Sequence, residues 1–118
     1  MKIAKLSTIL VLGCLGSCTH SAPPASEAEK TAALTDYVNC VDKAVQQLDD
    51  GKSDASTIAL GAGSNCAAQY SWSISVTGSG MNPAEFVLYR EKMQRDQVQI
   101  TIGIVLRARA SRAQQGMP

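Results

Sequence analysis

Residues 26–51 read SEAEKTAALTDYVNCVDKAVQQLDDG, and the fold follows from how that stretch is punctuated. Ser26 and Glu29 stand at capping-box spacing, where the serine hydroxyl takes one orphan N–H and the glutamate reaches back to another. After them Leu34, Val38, Val41, Val45 and Leu48 recur at spacings of four, three, four and three, which is one apolar stripe along a helix. Asp49-Asp50-Gly51 closes it, with Gly51 placed to take the left-handed conformation that ends helices.

Downstream, Ser53 and Asp54 offer a fresh N-cap. Ile58, Ala62, Cys66, Tyr70 and Ile74 then form a second stripe at intervals of four. Gly61, Gly63 and Asn65 lower the helix propensity inside it and suit close approach of a neighbouring helix. Gly61-Ala62-Gly63-Ser64 lacks the lysine and the preceding strand of a phosphate cradle. Val76–Met81 is glycine-rich loop, and Asn82-Pro83-Ala84-Glu85 opens a third helix with an N-cap, a proline at N1 and a glutamate at N3. Phe86, Tyr89, Met93, Ile100 and Ile104 can share one face of it, with Gln97 a polar gap; Ala108, Ala110 and Ala113 suit its continuation.

A competing pattern runs through the same region. Val98, Ile100, Ile102 and Ile104 alternate with Gln99, Thr101 and Gly103, and Trp72, Ile74 and Val76 alternate as well. Together they fit an α+β alternative, a small β-α-β unit over 71–106. Two parallel strands alone are marginal, and the first half of the body supplies no third. The expected fold is therefore all-α: a small three-helix domain, made of a helical hairpin and one long C-terminal helix.

Cys40 and Cys66 lie at nearly equal distances on either side of the Gly51–Ser53 turn. At 1.5 Å rise per residue each sits roughly 17–20 Å from the hairpin tip, so antiparallel helices bring them level. A disulfide stapling the hairpin is expected in an oxidising compartment. Closing a loop of about 27 residues stabilises by about 3–4 kcal/mol in the chain-entropy model. A domain this small gains much from such a staple.

The start of the chain is of another kind. Lys2 and Lys5 precede an apolar run, Leu6–Gly16, too short for a spanning helix of about 20 residues. A basic start, a short apolar stretch and small residues make an export signal. Leu15-Gly16-Ser17-Cys18 then resembles the lipobox of bacterial lipoproteins, with a leucine three residues before the cysteine and small residues between, which let a peptidase close on extended backbone. The resemblance covers about the first eighteen residues and implies cleavage before Cys18 and acylation of Cys18. Val11-Leu12-Gly13-Cys14 is a poorer match, with a bulky leucine where a small residue is favoured. A plain secretory signal is the remaining alternative, though Thr19–Ala25 offers no small-x-small site free of proline. Thr19 is not Asp, which in a Gram-negative host implies the outer membrane, facing the periplasm. The organisation expected is signal peptide 1–17, lipidated cysteine and proline-bearing tether 18–25, and one helical domain 26–118.

Charge and chemistry narrow the function classes. The chain has 118 residues and formal net charge +1. Residues 19–81 carry seven acids and three bases, and residues 82–118 three acids and six bases, a division suited to complementary helix surfaces, with a basic tail touching anionic lipid or nucleic acid as the alternative. An exported address argues against nucleic acid. His20, the single histidine, has no second ligand at metal spacing and cannot complete a catalytic triad from a tether. Asp49, Asp50 and Asp54 lack the spacing of a calcium loop and are expected to be solvated turn residues. No catalytic or cofactor motif is present, so no cofactor is expected. With so few aromatics, Trp72, Tyr70 and Phe86 are expected in the core. The expected role is a non-catalytic envelope lipoprotein that binds a protein partner, or associates with itself through the C-terminal helix, or acts structurally at the membrane surface, with a small-ligand carrier or enzyme as the alternative. Read as a helix, Gln97–Leu106 is apolar on two sides, Ile100 and Ile104 on one, Val98, Ile102 and Val105 on the other. One side is expected to stay outward as an association surface rimmed by Arg107, Arg109 and Arg112.

Overall fold

The computed structural model describes residues 23–116, and among them every regular element is a helix. Helix α1 spans Glu27–Leu48, α2 Ala55–Asn65, α3 Ala67–Thr77 and α4 Pro83–Gln114. The all-α fold is as expected, and the β-α-β alternative over 71–106 is overturned: α3 and α4 occupy both of its strand segments. The β-branched run ending at Ile104 is helical because Thr101, Ile104 and Val105 bury together on one side of α4, a spacing of three and one that a strand would split between its faces.

The second arm of the hairpin, expected as one helix, is two. It breaks at Cys66, whose φ of −107° and ψ of 19° leave the helical range, directly after the weak helix formers Gly61, Gly63 and Asn65. Hydrogen bonding carries across the break: Cys66 N–H donates to the Ala62 carbonyl at 3.2 Å, and Tyr70 N–H donates to the Cys66 carbonyl at 2.9 Å.

The caps form where the sequence places them. Ser26 and Glu29 close a capping box on α1. Asp54 accepts the N–H groups of Ser56 and Thr57 at 2.9 and 3.0 Å. Asn82 accepts the Glu85 N–H at 2.9 Å while Glu85 takes the Asn82 N–H at 3.3 Å. Gly51 is left-handed at φ 69° as expected, although it stands one residue beyond C′, since Asp49 is the C-cap.

One core joins all four helices, centred on Val41, Val45, Ala62, Cys66, Ile104 and Val105. Helix α1 packs on both α2 and α3; α4 runs back along α2 and, less closely, along α1. The buried stripe of α1 is Ala33, Tyr37, Val41, Ala44 and Val45, so Leu34 and Leu48, expected inside, stand outward. Tyr37 turns the helix that way. Its ring meets Tyr70 at 5.2 Å between centroids, tilted 55°, an attractive geometry for two aromatics. Its hydroxyl lies 3.3 Å from Thr101 Oγ1, and Thr101 donates to the Gln97 carbonyl at 2.9 Å. With Thr101 facing inward, Ile100, expected in the core, lies one residue round the helix and is 41 % exposed.

The other end of the bundle is closed by the chain just before α1. Ala25 N–H donates to Ser79 Oγ at 2.7 Å. At Gly80, φ is +85° and a Cβ would stand 2.8 Å from Pro24, so glycine is required there twice over. Gly78 gives its space to the Phe86 ring. Pro24 and Ala25, expected within the tether, therefore belong to the folded body.

Candidate functional site

The expected site residues part company here. Cys18, Cys14, His20 and the signal 1–17 lie outside the described residues. Cys40 and Cys66 are bonded to each other with their Cα atoms 5.9 Å apart, inside the usual span for a bridge. Cys66 is fully buried at the centre of the core, and the bond joins α1 to the break between α2 and α3.

At the hairpin tip, Asp49 is no solvated turn acid. Its side chain is fully covered. Arg109 holds both oxygens, Nε at 3.2 and 3.1 Å and Nη2 at 2.6 Å, and also donates to the Ser53 carbonyl at 2.7 Å. Arg112 Nη2 pairs with the second oxygen. Arg109 above all, with the Gly51 N–H and Arg112 adding, holds this carboxyl well below the usual range against the opposing effect of burial. Asp50 and Asp54 do behave as turn and cap acids, satisfied by neighbouring N–H and hydroxyl groups. The clamp removes Arg109 and Arg112 from the rim of any association surface: they fix the end of α4 to the hairpin. Neither partner is findable from spacing, since 60 residues separate Asp49 from Arg109.

Two clefts flank α3. The first, about 320 Å³, lies between the second arm and α4, lined by Leu60, Gly63, Tyr70, Gln94, Gln97 and Val98 among others. Its wall on α4 is polar at Gln94 and Gln97, and no residue of Pro83–Gln97 is fully buried. Beneath it the Tyr70 hydroxyl is covered and has no hydrogen-bond partner among the described residues. Burial pushes this phenol up to about 12, with Tyr37, Tyr89 and Asp96 adding.

The second cleft, about 460 Å³, lies between α1 and α3 at the closed end. Pro23, Pro24, Ala33, Trp72 and Val76 give it an apolar lining, with Glu29 and Asp36 at its edge. Trp72, expected in the core, is 60 % exposed, because Tyr70, Ser73, Ile74 and Val76 take the buried positions of α3.

Along α4 the outward apolar residues are Val87, Leu88, Ile100 and Leu106. Of the side chains expected on an outward face, Val105 is fully buried and Ile102 packs against the core. Among the described residues no group of three or more His, Cys, Asp and Glu is placed to hold a metal ion, and no helix is long and apolar enough to cross a membrane. Comparison with protein families, with curated proteins and with solved structures gives no match. Fold and sites together define a small disulfide-bonded helical domain with a clamped tip and a cleft on either side of α3.

Proposed function

We propose that this chain is a bacterial lipoprotein of the cell envelope, exported by residues 1–17, cut before Cys18, acylated there, and without catalytic activity of its own. In a Gram-negative host the absence of Asp at position 19 favours the outer membrane, facing the periplasm. The single observation that carries the reading is Leu15-Gly16-Ser17-Cys18 behind a basic, short apolar leader. The native disulfide is compatible with export, since such bonds persist in oxidising compartments. Intact mass spectrometry of the mature protein tests the anchor. A chain beginning at Cys18 and carrying acyl groups is expected; an unmodified N-terminus within 19–26 refutes it.

The role proposed for the domain is attachment to a protein partner through the outward side of α4. Leu88 is 67 % and Leu106 53 % exposed, and eighteen residues make five helical turns, so both lie on one side of the helix. About 27 Å separates them, so a partner lying along α4 would reach both. Leu106→Asp is expected to abolish capture of the partner from detergent-solubilised envelopes while circular dichroism and melting stay unchanged.

The cleft above Tyr70 favours a second reading, a small-ligand carrier, because convergent polar groups beside an apolar wall are what orient a bound solute. Saturable chemical-shift changes at Gln94 and Gln97 on titration with envelope small-molecule extracts would support it.

A further inference from the structure

The placement of Trp72 points to a partner for the α1–α3 cleft. We propose that this cleft is the face the domain lays on the bilayer, with Trp72 seated among zwitterionic lipid headgroups; the inference rests on the anchor at Cys18.

Chain length limits the geometry. Pro24 stands against Gly80 and the Ala25 N–H donates to Ser79 Oγ, so only the stretch from Cys18 to Pro23 separates the anchor from the folded body. Those five residues reach at most about 18 Å fully extended. Pro23 itself lines the cleft that Trp72 lines, so an acyl anchor holds this cleft, and not the clamped tip, beside the lipid.

The chemistry agrees with that position. Tryptophan favours the membrane–water interface, where its ring is shielded and its N–H stays among polar groups. Here it is the one tryptophan of the chain, 60 % exposed, next to Pro23, Pro24 and Val76. The charged residues lining the cleft are Glu29 and Asp36, with no base. An anionic surface would be repelled by that pair, and a zwitterionic one offers it choline or ethanolamine groups.

The test uses the full lipidated protein reconstituted into phosphatidylcholine vesicles, where all tryptophan emission comes from Trp72. Flotation of the vesicles reports the anchor, and quenching by bromine-labelled phosphatidylcholine reports Trp72. Flotation together with strong quenching by bromines near the headgroup end of the chains, and weaker quenching by deep ones, is the expected result. Flotation with emission indifferent to bromine overturns the inference and leaves the anchor standing. Failure to float removes the anchor and the inference with it. Replacing a third of the lipid with phosphatidylglycerol is expected to lower the quenching; a rise would overturn the zwitterionic assignment.

Discussion

Arg109 of α4 grips both carboxylate oxygens of Asp49, the residue that ends α1, and so ties the last helix to the tip of the hairpin. Because the Asp49 side chain is covered, taking away the acid leaves two guanidinium groups facing each other. Asp49→Asn is expected to cost about 1–2 kcal/mol, or about 5–10 °C in melting temperature. Arg109→Ala should lower the melting temperature further than Arg112→Ala, since only Arg109 also donates to the Ser53 carbonyl. Thermal denaturation of the three variants checks the order.

The same pair sets an acid limit. The Asp49 carboxyl is held below its ordinary value in the folded state, so its contribution is complete above the unfolded value of about 3.9 and is lost as pH falls through the folded one. Melting temperature measured from pH 7 downward should fall below about pH 4. In Asp49→Asn that fall should be shallower; equal slopes in both proteins would count against the clamp.

The bridge between Cys40 and Cys66 has a different signature. Reduction, or Cys40→Ser with Cys66→Ser, should destabilise by about 3–4 kcal/mol, independent of pH across the range where Asp49 titrates. Non-reducing peptide mapping of protein taken from the cell should recover the two cysteines in one linked peptide pair.

Two tyrosines in ring contact should respond oppositely to loss of their hydroxyls. Tyr37→Phe removes the bond to Thr101 and is expected to cost about 1 kcal/mol. Tyr70→Phe removes a covered hydroxyl that has no partner and should be neutral or stabilise by up to about 1 kcal/mol. Spectrophotometric titration adds a second readout, with the late phenol, near 12, missing from Tyr70→Phe.

Local signals carried the hairpin. Ser26 with Glu29, Asp54, and Asn82 with Pro83 and Glu85 each satisfy backbone groups within four residues, so their spacing alone locates the helix starts. Cys40 and Cys66 were legible for the same reason, because a turn of known position brings equal distances level. The facing of α4 was not legible. Apolar residues occur around that whole helix, and its orientation is decided by Tyr37 meeting Thr101, 64 residues apart. Asp49 looked like a turn acid because α2, α3 and most of α4 separate it from its partners. Trp72 looked like core because aromatics are scarce, whereas Tyr70, Ser73, Ile74 and Val76 take the buried positions of α3. The lipobox rests on sequence alone.

Under mechanical load the bridge at the break of the second arm divides the molecule. A pull delivered through Pro23 first strips Ala25 from Ser79 and then peels α1 from α3, residue by residue toward Cys40. There the peeling front meets a covalent stop, for Cys40 is bonded to Cys66, where α2 ends and α3 begins. The segment between the two cysteines, with a sequence separation of 26, stays out of the stretched path however hard the ends are drawn. That enclosed loop holds the tip, α2 and Asp49, so the part of the domain farthest from the point of attachment is also the part that tension on the chain cannot unravel.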